Sequence, residues 1–137
     1  MVGAGPIGTR IAAQLESMGK DVCLIDFSSV NLHPLTQAGF RTVAGDASDV
    51  TILEMAEVDD SFVIVVCIPD DRMAHQIVRA VRKINRDGKL IVRCRYQFSM
   101  NKLKSLGADS IIVEETEATL ALLRTLGKFE SFNESTV

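Results

Sequence analysis

Two rhythms of apolar residues alternate along this chain. Short apolar runs at Val22–Asp26, Arg41–Ala44, Phe62–Ile68, Leu90–Val92 and Ser110–Val113 read as strands. Between them, apolar positions recur at three- and four-residue spacing, which predicts helices over 7–18, 30–38, 70–85, 98–106 and 117–126, with a short one ending at Ala56. In the first, Ile7, Ile11, Ala12, Leu15 and Met18 share one face, and Gly19 ends it. Pro34 fits only the first turn of the second, which Gly39 ends. The unbroken run Phe62–Ile68 has the look of a strand buried on both faces. Strand–helix alternation with short connections predicts an α/β fold, a Rossmann-like doubly wound parallel sheet of about six strands in three α/β/α layers. The opening is unusual. Only Met1 and Val2 precede Gly3, so the strand expected at the centre of such a sheet is almost missing. The expectation is a domain cut from something longer. We divide it into a body over 1–126 and a polar tail over 127–137.

The candidate chemistry begins where that short strand ends. Gly3-Ala4-Gly5-Pro6-Ile7-Gly8 reads G-x-G-x-x-G and opens the first helix. In that context the first glycine permits a tight turn, the second lets backbone approach a pyrophosphate, and the third lets helix and strand pack closely. Free N–H groups at the helix start, and its dipole, favour phosphate. Asp26 closes the next strand at the distance expected of a carboxylate that binds a ribose 2′-OH. Asp46 follows another strand and is either an adenosine contact or a turn-maker. Arg93 and Arg95 end a strand on the same side of the sheet, fit either to neutralise a phosphate or to hold acids within the fold.

Composition narrows the function classes. A chain of 137 residues that is 47% hydrophobic supports one domain with a core. A net charge of −3 without a basic block argues against nucleic acid as a partner. Cys23, Cys67 and Cys94 form no C-x-x-C pair and have no metal-ligand spacing, so no metal is expected, and they read as buried residues of a reducing compartment. No apolar run is long enough to span a bilayer, and no signal peptide is seen, so the chain reads as soluble as given.

From Val2 to about Leu126 the sequence resembles the N-terminal lobe of an RCK domain (regulator of potassium conductance), also called TrkA-N. The resemblance rests on GAGPIG, LIDFS, GDASD, FVIVVCIPDD, IVRCRY and LKSLGADSIIVEETEA. LGADSIIVEE before a helix is its more specific part, and VRCRYQ with EETEATLALL looks most like Kef-type potassium/cation-proton antiporters. The resemblance implies a sensor of NAD(H), AMP or ADP that assembles as a homodimer or larger ring. It also implies a place at the cytoplasmic face of the membrane, gating an attached membrane transport domain. By motif, Gly3, Gly5, Pro6, Ile7 and Gly8 cradle phosphate, and Asp26 holds the ribose hydroxyls. Phe27 and Ser28 lie beside ribose and adenine, Asp46 and Ala47 flank adenine, Ile68 and Pro69 line the phosphate and ribose side, and Arg93 approaches the phosphates. Many relatives carry Arg where this chain has Pro6, which disfavours ATP here. Asp26, with no Arg directly after it, disfavours NADP. Glu115 matches a divalent-ion position of some relatives, but its neighbours differ.

Two other readings compete. A small NAD-dependent oxidoreductase lacks a substrate domain at this length. Its only tyrosine, Tyr96, has no lysine four residues on, and no catalytic residue stands out. A nucleotide-free dimerisation module is opposed by Asp26 and the intact glycines.

Overall fold

The structure, a computed structural model, describes residues 1–133. Its strands are β1 (Cys23–Asp26), β2 (Arg41–Ala44), β3 (Val63–Val66), β4 (Lys89–Cys94) and β5 (Ser110–Val113). The helices are α1 (Pro6–Ser17), α2 (Ser29–Gln37), α3 (Val50–Met55), α4 (Asp71–Ile84), α5 (Met100–Ser105) and α6 (Glu114–Asn133). All strand pairs are parallel, as helical crossovers require.

Instead of one sheet of about six strands there are two groups, β1–β2 and β3–β4–β5. The reason lies at Met1 and Val2. Val2 donates to Val65 O and accepts from Cys67 N, while Gly3 N donates to Ile25 O. Val2 therefore bridges both groups in parallel, at Ile25 and at Val66, but one residue is too little for a strand. The Met1 ammonium sits where a ladder amide would, donating to Cys23 O at 3.0 Å, and burial lowers its pKa.

Alternation along β1 sends neighbouring side chains to separate cores. Leu24 joins Ala12 of α1 and Leu32 and Leu35 of α2 on one face. Ile25 joins Leu53 of α3, Ile77, Val78 and Val81 of α4 and Leu103 of α5 on the other. Helices thus flank both faces, giving a Rossmann-like α/β fold. The Phe62–Ile68 run is not buried on both faces. Ile64 and Val66 are buried, but Phe62 is 91% and Val63 52% exposed. Ile112, on the same face as Val63, is 46% exposed. The core of α1 and α2 contains β1 but no residue of β3–β5, so that face of β3–β5 stays open.

Local signals account for most helix starts. Ser28, Asp49 and Asp70 cap α2, α3 and α4 by accepting the N–H of Asn31, Thr51 and Met73. Two boundaries differ from expectation. Pro34 lies inside α2 rather than in its first turn, and the carbonyl its ring leaves unpaired belongs to Val30, which is 80% exposed and open to water. Helix α6 starts at Glu114 and runs on through Gly127, whose cost of about 1 kcal/mol does not stop an otherwise good helix former. Residues 127–133 of the expected tail thus continue α6, and 134–137 lie outside the described residues.

Asn85, 7% exposed, fastens the loop after α4. Its Nδ2 donates to Val58 O and Ser61 O, and its Oδ1 accepts from Asp87 N and Gly88 N. Leucine of similar size strands all four partners. Asn85→Leu is expected to cost about 2–4 kcal/mol, read as a lower urea midpoint at unchanged slope.

Candidate functional site

A cavity of about 560 Å³ opens at the C-terminal ends of the strands, where β1 and β3 part around the glycine turn. This is the crevice in which open α/β sheets bind ligands. Its floor is backbone. Gly3 has φ +105°, and a Cβ there would strike the Cys67 carbonyl; a Cβ on Gly8 would strike the carbonyl of Gly3. These two contacts set α1 directly against the strand ends. Gly5 differs: a Cβ there meets nothing within 4 Å, because the position faces open cavity. Gly5 caps α1 without a side-chain hydrogen bond, and Pro6 is its first residue. Thr9 N is already bonded to Gly5 O. Helix geometry leaves the amides of Ile7 and Gly8 as the first-turn donors for an anion.

Asp26 faces that turn across the cavity mouth. Its Oδ2 accepts Ala4 N at 2.7 Å and its Oδ1 accepts Ser28 N at 2.8 Å. Each oxygen keeps a further lone pair for a hydroxyl. The carboxylate therefore ties the glycine turn to the loop after β1. Phe27 lines the mouth and is 72% exposed. Much of the rest is apolar: Ile7, Ile25, Ala47, Ile68, Pro69, Met73 and Ile77.

Arg93 is the only Lys or Arg lining this cavity among the described residues, against two carboxylates, Asp26 and Asp70. It stands on the face of β4 opposite buried Cys94. Its Nε donates to Glu114 Oε1, and its Nη1 lies 3.7 Å from Cys67 Sγ. Burial works against its charge, but Cys67 and Glu114 outweigh that and raise its pKa. Cys94 is a closed thiol: burial, then Asp71, Glu114 and Glu115, push it up to about 11. Nearby, Asp71 accepts from Arg95 N, Tyr96 N and Ser99 Oγ. Burial pulls its pKa up, but these bonds prevail and hold it below the usual carboxylate range.

Of the residues singled out from sequence, the structure brings Gly3, Gly5, Pro6, Ile7, Gly8, Asp26, Phe27, Ala47, Ile68, Pro69 and Arg93 around one cavity. Ser28 and Asp46 are not on its wall. The Ser28 hydroxyl caps α2, and Asp46 Oδ1 accepts both N and Oγ of Ser48, bonds that lower its pKa. Arg95 leaves the crevice side, its guanidinium 5.7 Å from the centre of the Tyr96 ring. Met73 and Ile77 sit at ordinary core spacing along α4, and Glu114 is one of several acids in the first turn of α6, so the sequence alone does not mark them as site residues. The available signal for Glu114 was its place directly after a strand end beside Arg93's strand. Among the described residues, no group of three or more His, Cys, Asp or Glu is placed to hold a metal ion. None of their helices is long and apolar enough to cross a membrane.

Known proteins share this fold. The TrkA-N domain family model matches residues 1–114. The protein named "Putative cation/proton antiporter YbaL" of Escherichia coli (strain K12) is 25% identical over 126 residues, which are 92% of this chain and 23% of YbaL. The chain thus spans about a quarter of that relative. The crystal structure of the YbaL TrkA-N domain superposes with a TM-score of 0.87 at 26% identity, over 91% of this chain and 93% of that one. A Kef CTD from Shewanella denitrificans in its AMP-bound form gives 0.78 at 22% identity, over 93% and 78%. The GsuK channel bound to NAD gives 0.72 at 21%, over 81% and 20%. At such identities the last two likenesses establish the fold alone.

Proposed function

The chain belongs to the TrkA-N domain family, and on that premise we propose that it is a ligand-sensing regulatory domain of a potassium transport system, a Kef-type antiporter or a potassium channel. NAD(H) or AMP/ADP binds in the cavity and gates an attached membrane transport domain at the cytoplasmic face. The carrying observation is the cavity itself: an open Gly5, first-turn amides and the Asp26 carboxylate around one apolar slot. The bound nucleotides of the Kef CTD and GsuK fit that slot's chemistry. In this reading Gly3, Gly5, Pro6, Ile7 and Gly8 cradle phosphate, and Asp26 holds the ribose. Phe27, Ser28, Asp46 and Ala47 serve the adenosine side, with Ser28 and Asp46 acting through the loops they hold. Ile68, Pro69 and Arg93 serve the phosphate side. We read Val2 as the end of a central strand in a doubly wound sheet of about six, and residues 1–126 as the nucleotide-binding lobe.

We read the role as regulatory rather than catalytic, a reading supported by the TrkA-N match. Assembly as a homodimer or larger ring is supported by α6, where Leu120, Leu122, Leu123, Leu126 and Phe129 are 46–65% exposed, and by the open face of β3–β5. A ligand that prefers one arrangement of such an assembly shifts the gate by its differential affinity and by nothing else.

The test is a thermal-shift panel with NAD, NADH, NADP, AMP, ADP and ATP. At about 100 times its Kd a ligand stabilises by about 2.7 kcal/mol, several degrees for a chain of this size. The expected result is a shift with NAD(H) or AMP/ADP and none with NADP. No shift with any nucleotide overturns the sensor reading.

A further inference from the structure

A guanidinium in an apolar slot is where a ligand's phosphate is expected to settle. Here that guanidinium is already engaged. The Arg93 side chain is 21% exposed, and its Nε is held by Glu114, itself 35% exposed. Glu114 is the first residue of α6, directly after β5, and its position is fixed by the pairing of Cys94 with Val113. The pairing of β4 with β5 therefore sets a negative charge beside the cavity's single lining Lys or Arg, among the described residues. Asp26 and Asp70 add two more negative charges to the wall. A phosphate entering the slot meets Arg93 with Glu114 attached. It must share the guanidinium with that carboxylate or displace it.

We propose that Glu114 is a specificity-determining residue of this site: by occupying Arg93 it limits how much ligand phosphate charge the cavity accepts. This rests on the nucleotide-binding reading above and adds a selector to it. It predicts a cavity that takes few phosphates, with the adenosine part supplying much of the affinity.

The experiment compares adenosine, AMP and ADP on the whole chain by isothermal titration at low salt, for wild type, Glu114→Gln and Glu114→Ala. Removing one negative charge from beside the guanidinium that the phosphate must share is worth at least about tenfold in affinity, which is the value already reached for unit charges as far as about 10 Å apart at an effective dielectric of about 20. Both variants are expected to bind AMP about tenfold tighter and ADP tighter still. Adenosine is expected to stay within about twofold, and the gain to shrink at high salt. Arg93→Gln is expected to do the reverse, weakening AMP and sparing adenosine. A merely structural ion pair changes the unfolding midpoint and leaves the ratio of AMP to adenosine affinity where it was. Unchanged ratios in both Glu114 variants, with wild type binding AMP, overturn the proposal alone. Wild type binding neither adenosine nor AMP overturns the proposal, and the absence of any response to ADP, NAD and NADH as well overturns the nucleotide reading with it.

Discussion

Alanine at position 8 is expected to lower the unfolding midpoint by about 5–10 °C and to abolish nucleotide binding, whereas alanine at position 5 is expected to spare stability and impair binding alone. The two glycines are three residues apart and face opposite ways. A Cβ on Gly8 falls on the carbonyl of Gly3, a backbone atom that cannot swing aside as a side chain does. Over-packing of this kind costs about 1–3 kcal/mol, and more where backbone must move. At a chain length near 150 residues each kcal/mol is about 2–4 °C. The strain also pushes α1 away from Gly3, which its hydrogen bond to Ile25 O and the Cys67 carbonyl packed against it hold in place. The donors at Ile7 and Gly8 move with the helix. Gly5 has an ordinary φ of −76°, and its Cβ meets nothing. Alanine there meets no clash in the free chain, and its weaker N-cap preference and its gain through the unfolded state, each about 1 kcal/mol or less, oppose each other. Its methyl projects into the space where a phosphate must come close, so affinity for NAD or AMP is expected to fall at least about tenfold. Differential scanning fluorimetry and titration calorimetry on both variants separate the two effects. Full affinity in Gly5→Ala removes the turn from the ligand site.

That contrast marks how far the sequence could be read. The glycine turn, the acid at the end of β1 and the caps Ser28, Asp49 and Asp70 are local features. Each depends on residues within a few positions. What was hidden depends on distant partners. Val63 looks buried in a β-branched run, yet its exposure is decided by which strands α1 and α2 cover, and their shared core holds no residue of β3. The division of the sheet, by contrast, follows the short opening before Gly3 that the sequence already shows, since Val2 supplies one bridge to each side. Asp46 had two open roles, and the nearby Ser48 took both bonds to its Oδ1. Arg93 was legible as a cation at a strand end. Its partners Cys67 and Glu114, 26 and 21 residues away, were not.

Asp26 carries the second large effect, because one carboxylate serves the fold and the ligand together. Its two bonds to backbone amides are charge-assisted, each worth about 1.5–3 kcal/mol in mutational series and nearer the low end at a partly open site. Asp26→Ala is therefore expected to cost about 2–4 kcal/mol of stability and to loosen the glycine turn at Ala4, so that lost affinity in this variant has two causes. Asp26→Asn separates them. The amide keeps one acceptor for Ala4 N or Ser28 N and keeps the shape, while its NH₂ opposes the other N–H. Stability is expected to fall less than in the alanine variant. The ligand readout is the sugar. Wild type is expected to prefer AMP over 2′-deoxy-AMP and to reject NADP, since a carboxylate accepts from a 2′-hydroxyl and repels a 2′-phosphate. In Asp26→Asn the preference for the hydroxyl shrinks and the discrimination against NADP relaxes, because the negative charge is gone. Both changes are ratios between ligands on one folded variant, so a general loss of stability does not produce them. A variant that binds AMP and still discriminates as wild type does leaves Asp26 a strut of the glycine turn and moves the ribose contact elsewhere.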